Sequence, residues 1–383
     1  MTLAGLVLAL VAAGPAADTS REAATAAVLD GLVRGDEPGL AVLVRQDGKT
    51  VFERAYGVRD LRSRERIDRV TAFRLASVTK QFTATAVMLL VRDGKLRYED
   101  ALSDLVPSFP AYGGGISIRH LLTHTSGLPD YEDLMTAAER DRPPIWSADR
   151  QIRDDEVLAL LRGETQGRFA PGTSWAYSNS GYVVLGRIVA RVSGKPFGDF
   201  LHERVFAPLG MDRTRAYERG RNEVASRAFG HTREASGFRQ TDQSATSATL
   251  GDGGVYSTLA DLASWDEAVR AGTLLSPAAM KPALTPVTLA DGSLPHWPKG
   301  PPSGDNLSPG EPVAYGFGWF LDPWRGRPRM WHYGETRGFR TAIERFPDDR
   351  LTVVILANRN DLDPVALALR VAEQWLVRTA RWP

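Results

Sequence analysis

Hydrophobic and polar positions follow two rhythms along this chain, one of helical period and one alternating, and the rhythm changes with position. Residues 20–33 carry apolar side chains at helical spacing and predict an amphipathic helix. Two short alternating runs, 40–45 and 50–55, meet at Asp47-Gly48, a pair that signals a hairpin between such runs. Residues 80–92 are helical in period and stop at Asp93-Gly94, with glycine in the capping position. From 101 to 248 helical segments (154–162, 181–192 and 197–206) alternate with Gly/Pro-rich loops, and strand patterns are few. Strand patterns return at 315–321, 329–333, 341–346 and 351–357, and an amphipathic helix over 364–377 follows. Strands at both ends around a helical middle predict an α/β fold: one sheet built from both parts of the chain, with a mostly helical lobe inserted. The α/β lobe is expected over about 18–75 and 250–383, the helical lobe over about 76–249. Residues 295–312 hold six prolines and predict an irregular loop.

Composition narrows the function classes. A chain of 383 residues has ample length for one large domain or two intimate lobes. With 47 Lys+Arg against 46 Asp+Glu, nothing in the charge favours nucleic acid or an anionic membrane as partner. The absence of cysteine excludes disulfides, Cys-ligated zinc, a thiol nucleophile and a lipidated cysteine. Residues 3–13 form an apolar run followed by small residues through Ala17 and then by polar Asp18, Thr19 and Ser20. That pattern predicts a secretory leader over 1–17, and hence an exported protein, periplasmic or secreted, although the leader lacks a basic start. The run is too short for a permanent membrane anchor. No H-E-x-x-H, P-loop, G-x-S-x-G or dinucleotide fingerprint occurs, so no metal and no cofactor are expected. The glycines of Gly251-Asp252-Gly253-Gly254 predict a tight loop with positive φ angles.

Three short motifs carry candidate chemistry. Ser77-Val78-Thr79-Lys80 sits where an extended run gives way to a helix, and residues three apart share a helix face, so hydroxyl and amine can meet. Backbone N–H groups at a helix start are also ready to receive an oxyanion. The plain alternative is a capping serine beside a surface lysine. Tyr177-Ser178-Asn179 is the only Tyr-x-Asn of the chain and offers a phenol for proton transfer beside an amide arm. His332-Tyr333-Gly334 is the only His-x-Gly, and its glycine lets a ligand backbone lie close to a strand. His124 reads as a structural hydrogen-bonder. Trp175, Tyr182 and Phe339 read as pocket lining or as ordinary packing, and Arg337 as a carboxylate binder or a solvated surface residue.

Together these motifs resemble those of the serine β-lactamase-like hydrolases, in the branch of class C β-lactamases, D-alanyl-D-alanine carboxypeptidases, D-aminopeptidases and esterases. The resemblance extends over residues 73–83, 118–128, 171–186, 208–211, 253–258, 315–319 and 332–339. It implies a covalent acyl-enzyme with Ser77 as nucleophile and Lys80 and Tyr177 as the acid/base pair. Asn179 and His332 would meet the substrate, and backbone N–H groups of Ser77 and Glu335, beside Gly334, would form the oxyanion hole. Implied substrates are small molecules or peptides: short-chain esters, D-amino-acid peptides or β-lactam-like compounds. The third motif departs from the Lys-[Thr/Ser]-Gly of true β-lactamases, so an esterase or carboxypeptidase is implied above a β-lactamase. The alternative is a penicillin-binding receptor or pseudoenzyme that acylates without turnover. Either Lys80 or Tyr177 could take the serine proton, since both have reference pKa values of about 10 and need a lowered one to act as base near neutrality.

Overall fold

The computed structural model describes residues 15–300 and 308–376. Helix α1 (Pro15–Leu29) precedes a hairpin of β1 (Leu40–Gln46) and β2 (Lys49–Tyr56). Its turn has Asp47 at φ 53° and Gly48 at φ 77°, the left-handed pair that a two-residue hairpin demands. Then come β3 (Phe73–Arg74), a single 3-10 turn (Ala76–Val78), α2 (Thr79–Arg92), α3 (Leu102–Leu105), α4 (Ile118–Leu122), α5 (Tyr131–Ala138), α6 (Asp154–Gly163), α7 (Asn179–Ser193) and α8 (Phe197–Leu201). Short strands β4 (Arg215–Ala216), β5 (His231–Glu234), β6 (Gly237–Gln240) and β7 (Val255–Ser257) lead to α9 (Leu259–Ala271) and α10 (Pro277–Met280). The chain returns through β8 (Met330–Thr336), β9 (Phe339–Phe346) and β10 (Leu351–Ala357) to α11 (Pro364–Trp375).

The main sheet has the order β2-β1-β10-β9-β8, antiparallel throughout, so strands from the two parts of the chain meet where β1 pairs with β10. Those central strands are apolar on both faces, as the sequences LAVLVRQ and LTVVILA require. Leu40, Val42, Val44, Val353 and Ile355 pack against Leu367, Val371 and Trp375 of α11 on one face. Ala41, Leu43, Val354 and Leu356 join the larger core on the other, where α9 packs against β1 and β10. Thr25 accepts a hydrogen bond from Trp375 Nε1 at 2.9 Å, which ties α1 to α11. The edge strand β2 carries exposed or half-exposed Lys49, Thr50, Glu53 and Arg54.

Three sequence expectations need correction. Residues 315–321 form no strand: Tyr315 and Phe320 make single bridges around a reversal at Gly318, whose φ is 75°. The cluster at 251–254 contains no positive-φ glycine. Its glycines serve close approach instead, since a Cβ on Gly251 would lie 2.2 Å from the Tyr182 carbonyl oxygen. Helix α1 begins at Pro15, ahead of the expected start at 20. The expected leader lies outside the described residues except for 15–17, which belong to α1. Among the described residues no helix is long and apolar enough to cross a membrane. The proline-rich loop falls partly outside the described residues.

Candidate active site

Strand β3 ends at Arg74, and the chain enters the 3-10 turn with Ala76 at φ 48°, a left-handed value rare for a residue with a side chain. That kink presents Ser77 partly exposed while Ala76 and Val78 stay buried. Lys80, one turn on in α2, is completely buried. Its Nζ lies 2.9 Å from Ser77 Oγ, 2.8 Å from Asn179 Oδ1 and 3.1 Å from the Asp252 carbonyl oxygen. The amide and carbonyl oxygens can only accept, so they fix two N–H directions. The third tetrahedral position then faces the Ser77 hydroxyl. Lys80 Nζ also stands 4.7 Å above the Tyr177 ring, so serine, lysine, tyrosine and asparagine converge within one site.

Tyr177 and Asn179 are held by the loop between α4 and α5. Ala176 N–H donates to the His124 carbonyl at 3.0 Å, Ser178 N–H to His124 Nδ1 at 3.1 Å, and Asn179 N–H to Asp130 Oδ2 at 2.9 Å. Asp130 simultaneously caps α5 through Glu132 N–H, and burial pushes its carboxyl pKa up against the pull of both backbone donors. Helix α7 starts at Asn179, with the Ser178 side chain accepting from Gly181 N–H as its cap.

The third motif is placed differently from the expectation. His332 is wholly buried, its Nδ1 2.7 Å from the Tyr333 carbonyl and its Nε2 3.1 Å from the Tyr315 hydroxyl. The carbonyl can only accept, so the proton sits on Nδ1 and Nε2 receives the Tyr315 O–H. Burial, reinforced by the nearby positive Lys80, drives its pKa down to about 3. His332 is therefore a neutral ring behind the site, not a cation facing substrate. Gly334 also departs from the expectation, because the backbone that lies close to it belongs to this chain. A Cβ there would stand 2.0 Å from the Leu75 carbonyl oxygen. Thr341 Oγ1 donates to that same carbonyl at 2.8 Å, which seats β8 against the turn bearing Ser77. Glu335 follows on β8 with an exposed side chain, ion-paired with Arg340 at 2.6 Å.

His124 is the hydrogen-bonder expected of it. Trp175, Tyr182 and Phe339 are buried packing residues, with Tyr182 donating to the Leu122 carbonyl at 2.8 Å, and Arg337 is exposed. Sequence reasoning missed Tyr315, Asp130 and Asp252. Asp130 had a usable signal, an aspartate standing directly before a helical run. The other two had none, because Tyr315 acts through a histidine 17 residues on and Asp252 through its backbone carbonyl. Among the described residues no group of three or more His, Asp or Glu could hold a metal.

Comparison with known proteins places this architecture. The Beta-lactamase family model matches residues 16–374. Penicillin-binding protein 4* of Bacillus subtilis (strain 168) is 31% identical over 350 residues, covering 88% of this chain and 71% of that protein. A D-aminopeptidase of Cereibacter sphaeroides is 28% identical over 336 residues, and the match covers 86% of this chain but 58% of that longer protein. Among solved structures, D-amino acid amidase from Ochrobactrum anthropi SV3 superposes with a TM-score of 0.75 at 23% identity, covering 93% of this chain and 98% of that one. The penicillin-binding protein of Bacillus halodurans gives 0.69 at 26% identity, covering 87% and 93%. With its Ser77–Lys80 pair at the foot of an antiparallel sheet, the chain belongs to the Beta-lactamase family of serine hydrolases.

Proposed function

We propose that this protein is an exported hydrolase that forms an acyl-enzyme on Ser77 from short-chain esters or D-amino-acid amides and peptides, and is a poor β-lactamase. The observation that carries the reading is the Lys80 Nζ held 2.9 Å from Ser77 Oγ by two fixed acceptors. Attack by Ser77 Oγ on a carbonyl transfers the hydroxyl proton to the Lys80–Tyr177 pair. The same pair returns the proton to the leaving alcohol or amine, and water then repeats the sequence to release the acid. Backbone N–H groups of Ser77, in the first turn of a helix, and of Glu335, on the sheet's edge strand β8, receive the oxyanion. Asn179, its Oδ1 committed to Lys80, offers Nδ2 to a substrate carbonyl.

Substrate class follows from His332. A neutral ring gives no charge-assisted contact to an anionic β-lactam carboxylate, worth roughly 1.5–3 kcal/mol, while a neutral ester or a free amine loses nothing. Relatives named D-aminopeptidase support the same choice. The test is a panel of p-nitrophenyl acetate, a D-amino-acid amide, a D-alanyl peptide and nitrocefin, with Ser77→Ala as control. Esters or D-amides should be turned over at least about tenfold faster than nitrocefin by kcat/KM. Nitrocefin hydrolysis at an equal or higher rate would refute the substrate assignment, and Ser77→Ala activity would refute the nucleophile. Export rests on the apolar run at 3–13, and the mature chain recovered from the native cell should begin near Asp18. Recovery of the full-length form from the cytoplasm overturns it.

A further inference from the structure

The geometry points to His124 as the residue that positions Tyr177 for proton transfer, an inference that rests on the acid/base reading of Tyr177. Both chain neighbours of Tyr177 are bonded to this one residue: Ala176 N–H to its carbonyl at 3.0 Å, and Ser178 N–H to its Nδ1 at 3.1 Å. Its ring then covers the phenol between them, with centroids 4.4 Å apart and planes 33° from parallel. Tyr177 is thus gripped at the residue before it, at the residue after it and on its ring face. Trp175 closes edge-on against the imidazole at 5.7 Å, and Tyr315 stands 4.6 Å away, so the ring has no room to turn.

Two features of His124 are costly and unexplained by packing alone. Its φ is 61°, a backbone conformation better suited to asparagine or glycine. Its Nε2 carries the proton, because Nδ1 accepts, yet Nε2 is buried without a hydrogen-bond partner among the described residues. Asparagine would relieve the first cost and could still accept from Ser178. What asparagine lacks is the ring face laid on Tyr177. Burial and the charge of Lys80 hold the imidazole neutral, Tyr182 and Tyr315 stack near it, and His332 acts on it through space. Lys80 is accordingly the cation that acts on the phenol, and His124 acts by orientation.

The experiment is a double-mutant cycle on kcat for p-nitrophenyl acetate, with His124→Asn, Tyr177→Phe and the double variant, each checked for a cooperative melt. His124→Asn should lower kcat by about tenfold or more, leave KM within about twofold, and displace the pH–kcat profile. In the Tyr177→Phe background the same substitution should cost nothing further, because no phenol remains to be positioned. His124→Phe, which keeps a ring but loses the Ser178 acceptor, should melt earlier yet hold kcat within about threefold of wild type. Wild-type kcat in His124→Asn, a loss additive with Tyr177→Phe, or a loss in His124→Phe as large as in His124→Asn would each overturn the inference. Wild-type kcat in Tyr177→Phe would instead overturn the underlying reading of Tyr177. If His124→Asn does not fold, the ratio of kcat for His124→Phe to wild type decides alone.

Discussion

Helix α11 packs on one face of the main sheet, whereas α2 lies inside the larger core on the other side, and the two are buried in opposite ways. The buried positions of α11 are apolar: Pro364, Leu367, Ala368, Val371, Ala372 and Trp375. Helix α2 is also buried, yet Thr79, Lys80, Gln81, Thr83 and Thr85 lie among its interior residues. Each has a fixed partner. Thr79 Oγ1 accepts from Val255 N–H at 3.1 Å, Thr83 donates to the Gly251 carbonyl at 2.6 Å, and Gln81 Oε1 accepts from Trp265 Nε1 at 3.0 Å. Thr85 donates within the helix to the Gln81 carbonyl at 2.8 Å. An apolar interface stabilises through area and tolerates small slides, whereas buried polar groups tolerate only the arrangement that satisfies them. The fold therefore draws on α11 for stability and on α2 for position.

Paired substitutions should break that contrast if it is wrong. Lys80→Met preserves bulk but removes the ammonium, and kcat/KM should fall about 10²- to 10⁴-fold. Asn179 Oδ1 and the Asp252 carbonyl lose a donor, but a buried charge disappears as well, so the urea midpoint should move little. Trp375→Ala should do the reverse, costing about 3–5 kcal/mol by chemical denaturation with kcat unchanged below the melt. Equal effects of the two variants on activity would erase the distinction.

A smaller effect sharpens it. Asp154, at the start of α6, accepts from Leu250 N–H at 3.1 Å, and burial together with the Asp252 charge pushes its pKa up from 3.8 to about 8. Between those values the folded chain holds a proton that the unfolded chain has released. Stability from this group is complete below about pH 4 and is lost as pH rises toward 8. Asp154→Asn, which keeps the acceptor, should flatten the decline by up to about 1.4 kcal/mol per pH unit. An unchanged slope would show Asp154 ionised in the fold.

Local features were legible in the sequence. The Asp47-Gly48 turn, the helix ending at Asp93-Gly94 and the strands at 341–346 and 351–357 each follow from backbone preference or periodicity over a few residues. The Ser77–Lys80 pair was legible for the same reason, being one helical turn. What escaped depends on contacts between distant segments. His332 looks like a titratable histidine at a strand end, and only Tyr315 and the covering core make it neutral. Residues 315–321 alternate as a strand does, but the chain reverses there at Gly318. Glycine clustering at 251–254 announced a special backbone without saying which kind, since a demand for positive φ and a demand for bare Cα leave the same letters.

The margin of the sheet at β2 bears on how copies of this protein behave in a crowded solution. A strand at a sheet edge offers a row of backbone groups to any extended chain that arrives, which is the route to edge-to-edge aggregation. Here Lys49, Glu53 and Arg54 line that margin, and the register of β1 against β2 shifts between Val44 and Arg45. A second copy docking in antiparallel register would have to bring its own charges against these and match a twisted ladder. Charge and an irregular register thus guard the strand farthest from β8, and the sheet ends there instead of growing.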